Sequence, residues 1–134
     1  MEKPLVSIIT PSYNSEKFIS ETIKSVQNQT YQNWEMIIVD DCSTDETTTI
    51  INTFLVDKRI TLHQLERNSG TGIARNKALY LASGRFIAFL DSDDLWKPEK
   101  LEKQVHYLIS ENKPFTFSFY DCIDESGKFL HKTI

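Results

Sequence analysis

The sequence has few of the residues that mark disulfide-rich, metal-binding or low-complexity proteins. Its 134 residues include two cysteines, four glycines and four prolines, and no internal repeat is visible. Cys42 and Cys122 form no C-x-x-C pair, and no histidine lies at zinc-ligand spacing from either. This pattern argues against a disulfide framework or a zinc finger. We therefore expect two free, buried thiols.

The chain also lacks a long apolar run and an excess of positive charge. No apolar run approaches the roughly 18 residues that a transmembrane helix needs. The stretch near the N-terminus, Leu5–Thr10, is only as long as a strand, so a signal peptide is not predicted and we expect a cytoplasmic protein. The formal net charge is −4 and the basic residues are scattered, so we expect no nucleic-acid partner.

Two nucleotide-binding signatures are missing as well. The first predicted strand is not followed by Gly-x-Gly-x-x-Gly, which argues against a nicotinamide-dinucleotide enzyme. The chain has no Gly-x-x-x-x-Gly-Lys-Ser/Thr, so a P-loop ATPase or GTPase is not supported. His63, His106 and His131 stand alone in the sequence, and we assign them no chemistry.

What the sequence does contain is a regular alternation of predicted strands and helices. Ordinary hydrophobic and charged contents, 40% and 25%, fit one globular domain over residues 1–134. The nearly wholly apolar inner strands predict an α/β fold, a Rossmann-like, doubly wound, mostly parallel sheet with helices on both faces. The predicted strands are Leu5–Thr10, Trp34–Val39, the edge-like Arg59–Leu65, a buried strand within Gly84–Asp94, and Phe115–Tyr120. The predicted helices cover residues 16–29, a segment from Ser43 to Leu55, residues 73–82, and a segment after Pro98. Ser43–Glu46 has the pattern of a capping box at the start of the second helix. A hairpin turn is predicted at Glu125–Lys128.

The fourth predicted strand ends in three acids, Asp91, Asp93 and Asp94. In an extended segment side chains two residues apart point the same way, so Asp91 and Asp93 can face one object together. Two converging carboxylates suit a hard divalent cation such as Mg²⁺ or Mn²⁺. The alternative is a solvated turn in which an aspartate caps the next helix. Since such strand ends bind ligands in open α/β sheets, we predict a metal site for a phosphorylated ligand.

Groups suited to a nucleotide follow the other strands. Tyr13 could stack on a base, and Asp41 could accept a hydrogen bond from the imide N–H of uracil. Arg75, near a helix N-terminus, could add positive charge at the phosphates. Each residue also has a structural explanation: Tyr13 could pack, Asp40 and Asp41 could cap or form a turn, and Arg75 could be a solvated helix residue.

Four motifs in order resemble the N-terminal half of family 2 glycosyltransferases, which are inverting enzymes with the GT-A fold. The motifs are Val6–Asn14, Ile37–Asp45, Gly72–Asn76 and Phe89–Asp94. The resemblance covers nearly the whole chain.

The resemblance implies site residues, a cofactor and partners. Pro11 and Tyr13 would line the uridine pocket, and Asp41 would contact the uracil. Asp93 would be the primary ligand of Mn²⁺ or Mg²⁺ on the donor diphosphate, Asp91 would support the ribose or the metal, and Arg75 would be a further donor contact. The donor would be a nucleotide-diphosphate sugar, with a UDP-sugar favoured. A glycan or lipid-linked glycan would be the acceptor, in polysaccharide biosynthesis of the cell envelope, with the full-length protein at the inner face of the membrane.

The catalytic base is not assigned. In the family it usually lies in a later segment, and we expect it beyond Ile134, because this chain ends on what looks like a strand just begun. Asp121 and Asp124 are the late acids, but both lie beside the predicted hairpin, where turn roles suffice. We therefore expect residues 1–134 to bind UDP with a metal and to turn over poorly or not at all.

Three other functions remain as alternatives. A catalytically silent nucleotide-sugar-binding module would show the same motifs. A phospho-receiver domain would carry its acid pair after the first strand, where this chain has Pro11–Asn14. A nucleotidyltransferase that makes sugar nucleotides would carry a Gly- and Arg-rich loop after that strand, and no such loop is present.

Overall fold

The computed structural model describes residues 2–133. The chain falls into two compact units, divided between Lys100 and Leu101. The prediction of one domain over the whole chain stays a prediction. No helix in the part that the structure describes is both long and apolar enough to cross a membrane.

The first unit is an α/β sandwich built around a four-stranded parallel sheet, as the alternating pattern predicts. The strands lie in the order β3-β2-β1-β4, and each neighbouring pair is parallel. The elements are β1 Val6–Ser12, α1 Ile19–Gln27, β2 Trp34–Asp40, α2 Thr47–Phe54, β3 Ile60–Gln64, α3 Thr71–Leu81 and β4 Phe86–Phe89.

One face of the sheet packs against α3. Ile9 of β1 lies beside Ile37 of β2, and both join a buried cluster with Val39 and two alanines of α3, Ala74 and Ala78. The alanines are four residues apart and so lie on one face of the helix. Their small side chains allow α3 to approach the sheet closely.

The opposite face of the two central strands is buried as well. Ile8, Met36 and Ile38 alternate with the residues that face α3, and all three are fully buried. The apolar positions of α1 and α2, including Ile19 and Ile51, are also fully buried. Burial on both faces explains why β1 and β2 read as almost continuous apolar runs.

The two outer strands differ from each other in how well the sequence predicted them. β3 is an edge strand with half-exposed residues, as its mixed composition predicts. The prediction that β4 is buried is wrong: Ile87 is 41% and Phe89 58% exposed. Within the described residues β4 pairs only with β1, so its apolar side chains gain little burial there.

The predicted capping box at Ser43–Glu46 is also wrong. α2 begins at Thr47, and its N-cap residue Glu46 makes no capping hydrogen bond through its side chain. The Asp45 carboxylate instead accepts the Thr47 N–H at 2.9 Å, while the Ser43 hydroxyl donates to Asp40 at 2.6 Å. The Ser43 hydroxyl therefore bonds to the carboxylate three residues before it and does not cap α2.

The helix α4, Lys100–Ser110, belongs to the second unit from Leu101 onward. This unit also contains an antiparallel hairpin of β5, Tyr120–Ile123, and β6, Phe129–Thr133. The predicted turn is confirmed, since the Asp124 carboxylate accepts the N–H groups of Ser126 and Lys128 at 2.9 Å each. The predicted strand Phe115–Tyr120 is wrong, because residues 115–119 have no regular structure. Phe115, Phe117 and Phe119 share the alternation of a strand but are 67–81% exposed, so no burial stabilises the extended form.

Neither cysteine forms a disulfide in residues 2–133, as predicted, but neither is buried. Cys42 is exposed and adopts a left-handed backbone conformation with φ of 67°, and Cys122 is half-buried. The prediction of buried thiols is therefore wrong. Cys42 lies in the loop after β2, where the backbone turns sharply towards α2 and carries the side chain outward.

Candidate functional site

A cavity of about 510 Å³ lies at the carboxyl edge of the sheet, within the first unit. It is bordered by the ends of β1 and β2, the start of α3 and the loop after β4. All six residues that the sequence analysis assigns to donor binding line it. The lining residues are Pro11, Ser12, Tyr13, Ser15, Asp41, Thr71, Ala74, Arg75, Asp91, Ser92 and Asp93.

Tyr13 is the exposed residue of a loop that is otherwise well anchored. Its side chain is 49% exposed, while Pro11 is buried at the end of β1. The next residue, Asn14, has a left-handed φ of 47°. Its N–H donates to the Ser43 hydroxyl at 2.9 Å, and its side-chain oxygen accepts the Thr44 N–H at 2.8 Å. These contacts fix the backbone that presents the Tyr13 ring to the cavity.

Asp40 and Asp41 have different partners although they are adjacent. The buried Asp40 carboxylate accepts hydrogen bonds from the Ser12 hydroxyl at 2.8 Å and from the Ser43 hydroxyl and N–H at 2.6 and 2.8 Å. Asp41 accepts the backbone N–H groups of Ser69 and Gly70 at 2.6 and 2.9 Å. Asp40 thus joins β1 to the loop after β2, and Asp41 holds the loop before α3 against the cavity.

The acidic residues after β4 form a turn, so the predicted extended arrangement is wrong. The Asp94 N–H donates to the Asp91 carbonyl at 3.1 Å. Asp91 and Asp93 nevertheless both line the cavity, together with the buried Ser92 between them. A tight turn can bring the first and third side chains to one side as an extended strand does.

Arg75 of α3 supplies positive charge at this end of the cavity. Its guanidinium donates to the Asp91 carboxylate at 2.8 Å. Asp93 is exposed and makes no hydrogen bond or ion pair within the described residues. Partial desolvation, together with the charges of Asp93 and Asp91, raises the pKa of Asp94. The turn therefore concentrates negative charge that a cation would relieve.

The donor set fits a divalent cation bound together with a ligand. In residues 2–133 no group of three His, Cys, Asp or Glu side chains is placed to hold a metal by itself. Asp91 and Asp93 offer carboxylate oxygens to one cavity. Mg²⁺ is commonly held by one or two carboxylates, with phosphates and water completing the coordination. Two aspartates are therefore enough if a phosphorylated ligand supplies the rest.

The hydroxyl residues that build the site are not among the site residues predicted from the sequence. Ser12, Ser15, Thr71 and Ser92 line the cavity, and Asp40 binds two serines behind it. The only sequence signal for Ser92 is its position between two aspartates. Ser12 and Ser15 flank Tyr13 and Asn14 after β1, and only the tertiary structure reveals their partners.

Comparisons with known proteins place the chain in a family. The model of glycosyl transferase family 2 matches residues 7–134. A Bacillus subtilis (strain 168) glycosyltransferase, TuaG, whose name proposes a role in teichuronic acid biosynthesis, is 51% identical over 96% of this chain and 53% of its own length. An Escherichia coli UDP-Glc:alpha-D-GlcNAc-diphosphoundecaprenol beta-1,3-glucosyltransferase, WfgD, is 48% identical over 97% of this chain and 52% of its own length.

Solved structures agree in fold. Residues 1–349 of S. aureus TarS, in complex with UDP-GlcNAc, superpose with a TM-score of 0.77 at 39% identity, over 80% of this chain and 32% of that 1–349 chain. The Pyrobaculum calidifontis mannosyltransferase PcManGT, in complex with GDP-Man and Mn²⁺, gives 0.75 at 29% identity, over 81% of this chain and 33% of PcManGT. The fold is therefore the GT-A fold, as predicted. The chain spans about half the length of the curated relatives it matches, and it belongs to glycosyl transferase family 2.

Proposed function

We propose that the chain provides the donor site of a metal-dependent, inverting glycosyltransferase that takes a UDP-sugar. The observation that carries this proposal is the cavity at the carboxyl edge of the sheet. It brings together an exposed aromatic ring, a buried carboxylate, an arginine and a pair of aspartates. These are the groups that a base, a diphosphate and a divalent cation require, and they lie along one cavity.

The nucleoside end of the site comprises Pro11, Tyr13 and Asp41. Tyr13 offers a half-exposed ring on which a base can stack, worth about 1–3 kcal/mol per base in comparable sites. Each Asp41 carboxylate oxygen accepts one backbone N–H and keeps a lone pair for a further donor. The imide N–H of uracil is such a donor, and adenine has none at that position.

The diphosphate end comprises Asp93, Asp91 and Arg75. Asp93, free of other partners among the described residues, would be the primary ligand of Mn²⁺ or Mg²⁺, with Asp91 beside it. When bound, the cation supplies charge stabilisation for the departing diphosphate. Arg75 holds Asp91 in place and brings a second positive charge near the phosphates. Holding the donor in this way positions its anomeric carbon for the acceptor.

The names of the relatives support the choice of donor and acceptor. TarS is solved with UDP-GlcNAc, and WfgD is named for a UDP-Glc donor and a diphosphoundecaprenol acceptor. We accordingly assign a UDP-sugar donor and a glycan or lipid-linked glycan acceptor in cell-envelope polysaccharide biosynthesis. The full-length protein would then act in the cytoplasm, at the inner face of the membrane. PcManGT binds GDP-Man, so the base is the part of this assignment that most needs a test.

A thermal-shift experiment tests the donor site. A ligand at about 100 times its Kd stabilises the native state by about 2.7 kcal/mol, which for a chain of this size raises the melting temperature by roughly 5–10 °C. We expect this shift with UDP plus Mn²⁺, and a much smaller one with UDP plus EDTA or with ADP plus Mn²⁺, since adenine lacks the imide N–H. Asp93→Asn should abolish the Mn²⁺-dependent part of the shift.

The matched control is Glu21→Gln, which removes one exposed acid from α1, outside the cavity. It should respond to UDP and Mn²⁺ as the wild type does. A shift with GDP but not with UDP would contradict the uracil assignment. An unchanged UDP response in Asp93→Asn would contradict the metal assignment.

A further inference from the structure

Ser92 is the buried residue between two exposed aspartates. Its side chain is directed away from the solvent, and the residue is 8% exposed. Its hydroxyl oxygen lies 2.5 Å from the Ser15 hydroxyl oxygen, and its carbonyl accepts a hydrogen bond from the Thr22 hydroxyl at 3.1 Å. Both the side chain and the backbone of the central turn residue are therefore fixed by the segment around the start of α1.

These contacts determine where the neighbouring carboxylates lie. The turn is closed by the Asp94 N–H on the Asp91 carbonyl, and Leu90 before it is buried and bonded to Ile9 of β1. With Ser92 held inward at the middle of the turn, Asp91 and Asp93 on either side both line the cavity. The buried serine thus fixes the backbone between the two acids, while Arg75 holds the Asp91 carboxylate.

Ser15 connects the acidic turn to the rest of the site. Its N–H donates to the Thr47 hydroxyl at 2.8 Å, so α2 fixes its backbone. Ser15 also belongs to the loop that presents Tyr13, and the preceding residue, Asn14, is bonded to Ser43. The Ser15–Ser92 contact is therefore a direct link between the loop that carries the aromatic ring and the turn that carries the acids.

We propose that Ser92, through its hydrogen bond with Ser15, is a positioning residue for the cation and diphosphate end of the site. This inference rests on the proposed function. Ser92 does not itself bind the cation. It holds Asp91 and Asp93 at a fixed distance from the Tyr13 loop, so that a nucleoside and a metal-bound diphosphate fit at the same time. Direct hydrogen-bond partners of metal ligands commonly contribute 10–100-fold to metal affinity. Ser92 acts on the two acids through the backbone of the turn, so its effect belongs at the lower end of that range.

Isothermal titration of Ser92→Ala and Ser15→Ala tests the proposal. We expect each variant to weaken UDP binding in Mn²⁺ by about tenfold, the lower end of the range for groups that orient metal ligands. Binding of uridine without metal should change by less than about twofold, since the Tyr13 loop keeps its bonds to Ser43 and Thr47. The double variant should lose no more Mn²⁺–UDP affinity than Ser15→Ala alone. Ser92→Ala removes only the Ser15–Ser92 hydrogen bond, whereas Ser15→Ala also removes the 3.3 Å hydrogen bond from the Ser15 hydroxyl to the Tyr13 carbonyl.

Ser126→Ala is the matched control, because its hydroxyl donates to Asp124 at the hairpin turn of the second unit. It should leave both affinities unchanged. Circular dichroism melting curves establish that each variant is folded, and Ser15→Ala carries the test if Ser92→Ala does not fold. Unchanged Mn²⁺–UDP affinity in a folded variant would overturn the inference, as would an equal loss of uridine and Mn²⁺–UDP binding. If the wild type itself fails to bind UDP in Mn²⁺, the proposed function fails, and this inference fails with it.

Discussion

Two neighbouring aspartates show how much a residue's role depends on its partners. Asp40 is the last residue of β2 and Asp41 follows it, and the two look equivalent in the sequence. The Asp40 carboxylate is buried and accepts three hydrogen bonds, two of them from serine hydroxyls. Asp41 reaches the cavity and binds the loop before α3. The sequence predicted nucleotide binding for Asp41 and left a turn or cap role open for both aspartates. In the structure Asp40 takes a turn role through Ser43, and the Ser12 hydroxyl is a further partner that the sequence does not reveal.

Asp57 makes stability depend on pH. Hydrogen bonds from the Arg59 side chain, more than any other cause, lower the pKa of Asp57 to about 2 from its ordinary 3.8. A depressed pKa stabilises the folded state above the unfolded-state value, and this contribution disappears as the pH falls through the folded-state value. Asp57→Asn should therefore lower the free energy of unfolding at pH 7 by about 1–2 kcal/mol, after allowance for the partly exposed arginine.

Urea unfolding between pH 7 and pH 2 measures this contribution. The difference between wild type and Asp57→Asn should shrink from about pH 4 downward and approach zero near pH 2. Glu66→Gln, which removes an exposed acid from the loop after β3, is the control and should behave as the wild type. If the difference in free energy of unfolding between wild type and Asp57→Asn does not depend on pH, the ion pair with Arg59 is not the cause of the lost stability.

At the scale of elements, the sequence correctly predicts the strands and helices that form because their apolar residues are buried. The prediction fails where an element depends on one particular partner strand or side chain. β1 and β2 are buried on both faces, so their apolar runs and the helices between them are visible in the sequence. The Phe115–Phe119 alternation has the pattern of a strand, but no strand pairs with it in residues 2–133. Likewise, Ser43 has the pattern of a capping residue, but Asp40 competes for its hydroxyl. A local sequence pattern does not show whether a pairing strand is present, or whether a neighbouring side chain competes for the same hydroxyl.

Gly84 allows β1 to approach the connection between α3 and β4. A Cβ at this position would lie 2.6 Å from the Ser7 hydroxyl, 2.7 Å from the Ser7 nitrogen and 2.8 Å from the Leu5 carbonyl oxygen. Two of these atoms belong to the backbone and cannot move without shifting β1. We expect Gly84→Ala to lower the free energy of unfolding by about 1–3 kcal/mol, the range for overpacked sites.

Gly72→Ala is the matched control within the same unit. Gly72 lies in α3, and no atom comes within 4 Å of a Cβ at that position. Alanine has the higher helix propensity, so this substitution should stabilise the protein by up to about 1 kcal/mol. Chemical denaturation of both variants without ligand measures the two effects. Equal stabilities for the two variants would contradict the close approach at Gly84.

At the scale of the whole molecule, the strand order explains why the site lies where it does. The chain runs outward from β1 to β2 and β3, and then returns to place β4 on the other side of β1. In open α/β sheets, ligands bind at the point where the strand order reverses, outside the carboxyl ends. The cavity here is bordered by the carboxyl end of β1 with Pro11, by Tyr13 just after it, and by the Asp91–Asp93 turn after β4. The sequence predicts the strand ends, but not the order that makes β1 and β4 neighbours, because pairing depends on contacts between distant segments.

The same arrangement predicts donor binding without efficient transfer by the 134-residue chain. The described carboxylates that line the cavity are Asp41, Asp91 and Asp93. Asp41 is engaged with the loop before α3 and is assigned to uracil, while the other two are assigned to the cation and the diphosphate. Inverting transfer also needs a carboxylate that takes the acceptor proton, a task that commonly contributes 10²–10⁴-fold to the rate. None of the three is left for that task.

A UDP-release assay with UDP-sugars and glycan acceptors measures whether the 134-residue chain transfers sugar. At donor concentrations that saturate binding in Mn²⁺, UDP release by residues 1–134 should not exceed the rate without acceptor. Titration of the same sample with UDP shows in parallel that the donor site is competent, so inactivity is not mistaken for misfolding. Sustained, acceptor-dependent turnover that Asp93→Asn abolishes would contradict this prediction. One of the described residues would then have to serve as the base, and Asp41 would be the first to replace by asparagine.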